Sequence, residues 1–195
     1  DLASIERLGL GLVRRPTGGR AILHDDELTY SLVAPAAALP GGRSLGRSYR
    51  EISRALLRGL ARLGLGARMG QEEAERDSLP AACFALSTRA DLTAAGHKII
   101  GSAQVRRGGC LLQHGSIPLT LDLEKHAAVF RQGDSAASLG AKAAGLAAVL
   151  GWRPSWEVLV AAFTDGFREA LGVEIVEGKL SPEEEEEAAR LEEGK

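Results

Sequence analysis

The sequence predicts an α+β fold, in which a largely antiparallel sheet is flanked by helices. Its predicted strands come in pairs separated by short turns, which is typical of antiparallel hairpins. Its helical patterns lie between and after these pairs and do not alternate with single strands, as they would in a parallel α/β fold. The 195 residues are 45% apolar and 26% charged, so one globular domain can bury a full core.

Residues 1–66 are predicted to hold a hairpin between two helices. The segments, in chain order, are a helix at 2–9 that ends at Gly9, a short strand at 10–15, a turn at 16–19, strands at 20–24 and 28–34 joined through Asp25, Asp26 and Glu27, a Pro/Gly/Ala-rich loop, and a helix from Leu45 to Leu63. The last helix has the clearest pattern, because apolar residues recur at every third or fourth position and most arginines fall on the other face.

The rest of the chain is predicted to hold a loop, a second hairpin and then helices. The segments are a polar loop at 70–82, strands at 90–95 and 98–107 around a Gly96-His97 turn, a Gly108-Gly109 turn, a strand at 110–123, a short helix at 122–132, an alanine-rich helix at 135–150, a strong helix at 155–171 and an acidic helix that begins at Ser181. Ser181 and Pro182 followed by glutamates are typical of a helix start.

The composition argues against several classes of function. A net charge of −2 creates no overall field for nucleic acid, and 4% aromatic residues provide few stacking platforms for single strands. The chain has no apolar run long enough for a membrane span and no signal-peptide pattern. Two cysteines are too few for a disulfide framework, which indicates the cytoplasm. Because Asp1 begins inside a helical pattern, we expect part of the protein to lie upstream.

The stretch GHKIIGSAQ (96–104) places one lysine, Lys98, beside two isoleucines and before small residues. One interpretation is an edge-strand lysine that discourages pairing with other chains. The other is an ammonium group that binds a carbonyl or phosphate oxygen and stabilises a developing oxyanion. Gly101 and Ser102 would then leave room for a ligand to approach the backbone.

Cys83 precedes this stretch, within LPAACFALST (79–88). A free cysteine is often a small buried hydrophobe, but a thiol beside a cation, a histidine or a helix N-terminus becomes a nucleophile. The predicted hairpin could bring Cys83 and Lys98 together, although their spacing does not show it.

The segment RRPTGGRAILH (14–24) joins two arginines to a Gly-Gly turn and a histidine. Gly18-Gly19 either accommodates a positive φ or exposes backbone N–H groups to an anionic or carbonyl group. Taken singly, His24 and His114 are interpreted as structural histidines in β-type stretches. The histidines and cysteines lack the spacing of metal ligands, and no phosphate-loop or Rossmann motif is present.

Three blocks, in order, resemble the lipoate/octanoate transferase and ligase family. RRPTGGRAILHDDELTYS (14–31) is similar to its RRxTGGxAxxH…ELTYS block, ACFALSTRADLTAAGHKIIGSAQ (82–104) to its cysteine-plus-K-I-x-G-S-A-Q block, and LLQHGSIPL (111–119) to its LQHGSI strand. The resemblance covers about residues 10–119. It implies the α+β fold shared with biotin–protein ligases, and a single catalytic domain over 1–195 that lacks its N-terminal segment and ends in an acidic helix or tail at 181–195.

The blocks resemble one branch of this family more than the other. ATP-dependent lipoate–protein ligases usually read RRxxGGGAVxHDxGN, whereas Arg20 here stands in place of the third glycine and DDELTYS replaces the LGN run. The cysteine-dependent octanoyltransferases carry HDxELTYS and a cysteine at the position of Cys83. The resemblance therefore implies octanoyl transfer from acyl carrier protein to a lysine of a lipoyl carrier domain, such as the glycine-cleavage H protein, with no cofactor and no metal.

The same resemblance implies roles for individual residues. The Cys83 thiolate would attack the octanoyl thioester, and the Lys98 ammonium would hold the acyl carbonyl oxygen and favour the thiolate. The implied substrate-binding residues are Arg15, Gly18, Gly19, His24, Gly101, Ser102, Ala103, His114 and Gly115. Cys110 has no counterpart in the family and is interpreted as structural.

Two departures and two alternatives remain open. Thr88-Arg89-Ala90 replaces an aromatic-acidic pair frequent in the family, and His97 stands where arginine is frequent. The protein could instead be an ATP-dependent lipoate–protein ligase, which would need ATP and Mg²⁺, or a non-catalytic module that binds lipoyl domains. No nucleic acid or membrane partner is expected, and the sequence leaves the carrier domain and the oligomeric state undecided.

Overall fold

A five-stranded antiparallel sheet organises the computed structural model, which describes residues 1–19, 21–70, 91–130 and 135–193. The strands are β1 (Glu27–Pro35), β2 (Arg68–Met69), β3 (Leu92–Ala94), β4 (His97–Arg107) and β5 (Cys110–Pro118), and their order across the sheet is β1-β5-β4-β3-β2. The helices are α1 (Leu2–Arg7), α2 (Leu45–Arg62), α3 (Leu123–Val129), α4 (Ala136–Lys142), α5 (Leu146–Leu150), α6 (Trp156–Leu171) and α7 (Pro182–Glu193), with a 3₁₀ turn at Ala36–Ala38. The predicted α+β class and antiparallel sheet are confirmed.

Two tight turns connect β3, β4 and β5 into a meander. Gly108 and Gly109, between β4 and β5, both have positive φ angles, +57° and +77°. Positive φ at both central residues gives the turn whose twist matches that of the flanking strands, and glycine adopts it without strain. Ala95 and Gly96 form the corresponding turn between β3 and β4, with φ of +50° and +84°. The second predicted hairpin is therefore confirmed, but its turn lies at Ala95-Gly96, one residue before the predicted Gly96-His97.

The first predicted hairpin is wrong, because β1 pairs with β5 and not with the residues before it. Residues 21–25 form no regular strand, and neither do residues 10–15. The reason is the position of Asp26, which the sequence pattern predicts to lie in a turn. Its carbonyl accepts a hydrogen bond from the Leu119 N–H at 2.8 Å, and its carboxylate pairs with Arg153 at 2.6 Å. These long-range contacts hold the start of β1 against the end of β5.

The alanine-rich helix predicted at 135–150 is divided into α4 and α5 by residues 143–145. Ala143 forms an isolated parallel bridge with Lys98, and the Ala144 N–H donates to the Lys98 carbonyl at 3.1 Å. A Cβ on Gly145 would lie 2.5 Å from the carbonyl oxygen of Leu119, so the chain passes too close for a side chain there. The break in the helix thus supports the start of β4.

Helices α2 and α6, both confirmed from the sequence pattern, pack antiparallel to each other on one face of the sheet. Gly59 of α2 contacts Phe163 of α6. One turn earlier in α2, Ala55 contacts Gly166, which lies nearly one turn after Phe163 in α6. The core between this helix pair and the sheet consists mainly of aliphatic side chains, including those of Leu56, Leu60, Ile100, Ile117 and Leu159. The other face of β1 is exposed. We call it, with the same face of β5 and β4, the open face.

Helix α7 begins as predicted, with reciprocal hydrogen bonds between Ser181 and Glu184. The Glu184 N–H donates to Ser181 Oγ at 3.2 Å, and the Ser181 N–H donates to Glu184 Oε2 at 2.8 Å. This is a capping box, which satisfies backbone donors that the first helical turn leaves free. Within the described ranges, no helix combines the length and the apolar character needed to cross a bilayer.

The close approach of α2 and α6 predicts opposite effects of two glycine-to-alanine substitutions. A Cβ on Gly166 would lie 2.5 Å from the carbonyl oxygen of Ala55, whereas a Cβ on Gly46, near the start of α2, meets nothing within 4 Å. We expect Gly166→Ala to lower the free energy of unfolding by about 1–3 kcal/mol through overpacking. Gly46→Ala should raise it by up to about 1 kcal/mol through helix propensity. Urea denaturation measures both, and a stabilised Gly166→Ala would contradict the packing described.

A buried histidine on α3 predicts a loss of stability in mild acid. His126 is 3% exposed, its Nδ1 lies 3.3 Å from the Asp122 carbonyl oxygen, and burial lowers its pKa from 6.5. The unfolded chain therefore takes up the proton first as pH falls below 6.5, and stability drops by at most about 1.4 kcal/mol per pH unit for this group.

We expect His126→Leu to flatten the dependence of the unfolding free energy on pH between 7 and 5. His114, whose pKa burial also lowers, should contribute with the same sign. His24→Ala is the control, and its effect on the slope of the unfolding free energy with pH should have the opposite sign. Hydrogen bonding to Glu27 raises the pKa of His24 and favours its charged form in the folded state. Urea titrations at each pH measure the slopes, and an unchanged slope in His126→Leu would refute this assignment.

Candidate active site

Lys98 is a buried cation in the interior of the sheet. It belongs to β4, which lies between β3 and β5, and it is 2% exposed. Its Nζ lies 3.1 Å from Oδ2 of Asp91, which is 3% exposed. The interpretation of Lys98 as an exposed edge-strand lysine is therefore wrong. A buried ammonium is tolerated because a buried carboxylate compensates its charge.

Asp91 is a site residue that the sequence analysis missed. It directly precedes β3, and its carbonyl accepts a hydrogen bond from the Gly70 N–H at 2.8 Å, which ties it to the end of β2. The hairpin register could have indicated Asp91 as the partner of Lys98. Lys98 is opposed to Thr93, and Asp91 lies only two residues before Thr93. An irregularity between Leu92 and Thr93 shifts the register at this point.

Cys83, the predicted nucleophile, lies outside the described residues, and so do Thr88, Arg89 and Ala90. Its predicted proximity to Lys98 stays a prediction. Cys110 is an exposed free thiol at the start of β5.

Ser102, a predicted ligand residue, faces the helices. Directly opposed residues of antiparallel strands share a face, which groups Ser102 with Gly115 and Tyr30. A Cβ on Gly115 would lie 2.5 Å from the Gly101 carbonyl oxygen and 2.5 Å from Cε1 of Tyr30. The space beside Gly115 is thus filled by the tyrosine ring, and the hydroxyls of Tyr30 and Ser102 are 2.7 Å apart.

The polar residues of the GSAQ stretch belong to a hydrogen-bond network on this helix face. Gln113 Nε2 donates to the Tyr30 hydroxyl at 3.0 Å, and Gln104 Nε2 donates to Gln113 Oε1 at 2.9 Å. Ser48 of α2 donates to Gln104 Oε1 at 3.1 Å. Burial raises the pKa of Tyr30 to about 12, so the hydroxyl stays protonated. The network satisfies polar groups beneath α2, which explains why amide and hydroxyl side chains occur in this strand.

Ala103 and His114, two more predicted ligand residues, lie on the open face. They are directly opposed across β4 and β5 and share that face with the exposed Ser31 of β1. His114 Nε2 lies 2.7 Å from the hydroxyl of the buried Thr17, which anchors the 16–19 turn over β5. Burial lowers the pKa of His114, with smaller contributions in the same direction from Arg15 and His24. His114 is therefore neutral at physiological pH.

Arg15, Gly18 and Gly19 also lie on this side, in the segment that Thr17 anchors. Gly18 and Gly19 are exposed, and Gly19 has a φ of +100°. A Cβ on Gly19 would lie 2.8 Å from Nη2 of Arg15, so glycine leaves room for the guanidinium group. Gly19, but not Gly18, thus has the positive φ that one of the two interpretations of this pair requires. The turn brings Arg15 toward the two histidines.

His24 is hydrogen-bonded to Glu27, a second residue that the sequence analysis missed as part of the site. His24 Nδ1 lies 2.6 Å from Glu27 Oε1, Thr29 donates to the same oxygen at 2.7 Å, and Ser116 donates a short hydrogen bond to Oε2. The Glu27 side chain is 6% exposed and the His24 side chain 48%. Burial, the largest influence, acts to raise the pKa of Glu27, but the hydrogen bonds together lower it. The hydrogen bond to Glu27 raises the pKa of His24.

The register of β4 connects this pair with Lys98. Ser116, which binds Glu27, is opposed to Gly101, and Gly101 lies three residues after Lys98 in β4. Three residues of strand span about 10 Å. By strand alternation the Lys98 ammonium lies on the helix face, with Ser102, whereas the two imidazoles lie on the open face of the same end of the sheet. An ammonium can bind an acyl oxygen, and an imidazole can move a proton.

A cavity of about 540 Å³ lies where the break between α4 and α5 meets the start of β4. Its walls are mainly apolar and include Ala143, Ala144, Val149, Leu121 and His97. This volume is in the range of small-molecule pockets. Within the described part of the chain, no three His, Cys, Asp or Glu side chains cluster closely enough to hold a metal ion.

The sequence is similar to curated octanoyltransferases over its whole length. It is 43% identical to octanoyltransferase LipM of Symbiobacterium thermophilum, covering 100% of this chain and 74% of that protein. It is 41% identical to octanoyltransferase LipM of Kyrpidia tusciae, covering 98% of this chain and 74% of that protein.

The fold is similar to that of solved lipoate–protein ligases. A crystal structure of lipoate-protein ligase A bound with ATP superimposes with a TM-score of 0.84 at 26% identity, covering 100% of this chain and 72% of the other. A bipartite lipoate protein ligase from Thermoplasma acidophilum, studied with its E2 lipoyl domain, gives a TM-score of 0.80 at 26% identity, with coverages of 100% and 71%.

The model of the lipoyl protein ligase A/B catalytic domain matches residues 1–168. The family resemblance and the fold class inferred from the three sequence blocks are thus confirmed. The chain belongs to the lipoyl protein ligase A/B catalytic domain family, and its full-length similarity to octanoyltransferases makes it an acyltransferase of that family.

Proposed function

We propose that the protein transfers an octanoyl group from acyl carrier protein, through a thioester on Cys83, to a lysine of a lipoyl carrier domain such as the glycine-cleavage H protein. The observation that carries this proposal is the buried, paired ammonium of Lys98 in a chain similar throughout to octanoyltransferases. The lipoyl domain is the acceptor class because a related bipartite ligase was studied with one. The reaction would occur in the cytoplasm, where thiols remain reduced.

The reaction consists of two acyl exchanges. The Cys83 thiolate attacks the carbonyl carbon of octanoyl-acyl carrier protein, and the carrier thiolate leaves and takes up a proton. The ε-amine of the acceptor lysine then attacks the acyl-Cys83 thioester, the C–N bond forms, and the electron pair of the C–S bond returns to sulfur. The thioester already supplies an activated acyl group, so this route uses no nucleotide and no metal.

Lys98 is the group that stabilises charge in both steps. Its ammonium is held by Asp91 and does not have to reorganise when the thioester oxygen becomes an oxyanion. On the open face, Arg15, Gly18, Gly19, Ala103 and His114 would contact the substrate. Ser102 and Gly115 would act from beneath it, because they contact Tyr30 on the helix face. Gly101, which is opposed to Ser116, would leave room for the substrate on the open face.

An ATP-dependent lipoate–protein ligase is the second candidate, and the similarity to an ATP-bound ligase structure is the observation in its favour. The ligase would first form a lipoyl-adenylate from lipoate, ATP and Mg²⁺. The two reactions differ in their requirement for ATP and for the thiol of Cys83, and both differences can be measured directly.

We expect octanoyl-acyl carrier protein to increase the intact mass of the full-length protein by one octanoyl group, without ATP. The adduct should be absent in Cys83→Ser, because the hydroxyl is a far weaker nucleophile than the thiolate. Cys110→Ser, at the exposed thiol, is the matched control and should retain the adduct.

Two results would contradict the transferase. A lipoyl domain modified only with lipoate, ATP and Mg²⁺, and equally by Cys83→Ser, would establish the ligase. Binding to a lipoyl domain with no acyl transfer under either condition would establish the non-catalytic module.

Lys98→Met should slow formation of the acyl adduct about 100- to 1,000-fold, because it removes the charge that stabilises the oxyanion. It also leaves Asp91 without this partner, which we expect to lower the free energy of unfolding by about 3–5 kcal/mol. Single-turnover mass spectrometry measures the rate, and circular dichroism confirms that the variant is folded at the assay temperature. Lys179→Met, on an exposed segment, is the control, and equal rates in both variants would exclude a role for Lys98.

A further inference from the structure

His24 and Glu27 form a carboxylate–imidazole pair whose free nitrogen points away from the carboxylate. A carboxylate accepts hydrogen bonds and cannot donate them, so the 2.6 Å contact requires the proton on His24 Nδ1. In the neutral imidazole the lone pair then lies on Nε2. The His24 side chain is 48% exposed, so a substrate can reach this nitrogen.

Glu27 is held in one position by three side chains. Besides His24, the hydroxyls of Thr29 and Ser116 donate to its two oxygens, and the side chain is 6% exposed. These donors occupy both carboxylate oxygens and set the orientation of the imidazole. A base oriented by a buried carboxylate is the arrangement that removes protons from nucleophiles in several unrelated enzymes.

We propose that His24 is the proton acceptor for the amine that attacks the acyl-enzyme, with Glu27 as its positioning residue, an inference that rests on the acyl transfer proposed above. The neutral ε-amine of the acceptor lysine attacks the thioester carbon, which forms the C–N bond. The C–S bond breaks and its electron pair remains on the enzyme sulfur. The surplus proton on nitrogen passes to His24 Nε2, and the imidazolium later releases it to solvent.

The location of the pair fits the second step of transfer. Lys98 is almost fully buried, whereas the half-exposed His24 can meet a nucleophile that arrives from solvent. Lys98 is also occupied by the carboxylate of Asp91 at 3.1 Å. The two groups therefore divide the work, because Lys98 supplies a fixed charge and His24 supplies a titratable base.

The test separates transfer from acyl-enzyme formation. The octanoyl-enzyme is formed first with octanoyl-acyl carrier protein, verified by intact mass, and then mixed with a lipoyl domain in a single turnover. For His24→Gln both half-reactions are measured, and we expect transfer to slow far more than acyl-enzyme formation. Transfer to the lysine should fall about 100- to 1,000-fold, as expected for loss of a general base.

A second nucleophile distinguishes a base from a structural residue. Hydroxylamine is a small nucleophile that is neutral near pH 7, and it depends little on a positioned proton acceptor. We expect it to cleave the acyl-enzymes of wild type and His24→Gln at similar rates. Equal slowing toward the lysine and toward hydroxylamine would mean that His24 only maintains the shape of the site, and would overturn the proposal.

The pH dependence of transfer supplies a readout for Glu27. The charged and titratable groups that face His24 in the described structure are Glu27 of β1, Arg15 of the preceding segment and His114 of β5. Glu27→Gln removes the carboxylate that favours the imidazolium, so the apparent pKa of transfer should fall and the rate should drop at least about tenfold. Glu51→Gln in α2, where the partly buried Glu51 pairs with Arg54, is the matched control.

Failure of this inference is distinguishable from failure of the proposed function. If the wild-type protein forms no octanoyl-enzyme, the transferase function itself is refuted. If the octanoyl-enzyme forms and His24→Gln transfers to the lysine within about threefold of wild type, the function stands and the proton-acceptor role of His24 is wrong.

Discussion

The buried ion pair between Lys98 and Asp91 is the interaction on which the arrangement of the site depends. An ammonium group removed from water is costly to stabilise unless an opposite charge lies within a few ångströms in fixed geometry. Three features of the fold meet that requirement. The β3–β4 turn brings β3 alongside Lys98. The register irregularity between Leu92 and Thr93 alters the strand pairing directly after Asp91. In the break between α4 and α5, the Ala144 N–H donates a hydrogen bond to the Lys98 carbonyl.

The two faces of the sheet have separate chemical tasks, although the sequence motifs alternate between them. On the helix face, Tyr30, Ser102, Gln104 and Gln113 form a closed hydrogen-bond network beneath α2. On the open face, the half-exposed imidazole of His24 and the neutral imidazole of His114 remain accessible beside Arg15. Successive side chains of a strand point in opposite directions. One sequence motif therefore contains both residues that pack on the helix face and residues that lie on the open face.

The site combines a rigid charge with an accessible base. The Lys98 ammonium is fixed by burial, whereas His24 is oriented by one hydrogen bond to a carboxylate that is itself held by Thr29 and Ser116. Rigid charge suits stabilisation of an oxyanion, since no reorganisation is then needed during the reaction. An exposed and oriented imidazole suits exchange of a proton with an incoming nucleophile and with water.

The sequence by itself determined the features that depend on local periodicity and turn chemistry. Helices α2 and α6 follow from apolar residues at three- and four-residue spacing, and the β4–β5 hairpin follows from Gly108-Gly109, because each of these signals acts within a few residues. The family and the position of Lys98 also followed from short motifs. Tertiary structure alone decided that residues 21–24 do not pair with β1, since Asp26 is held by Arg153 and Leu119, both far along the chain. It alone decided the partners Asp91 and Glu27, because charge compensation depends on distance in space, which the order of residues does not specify.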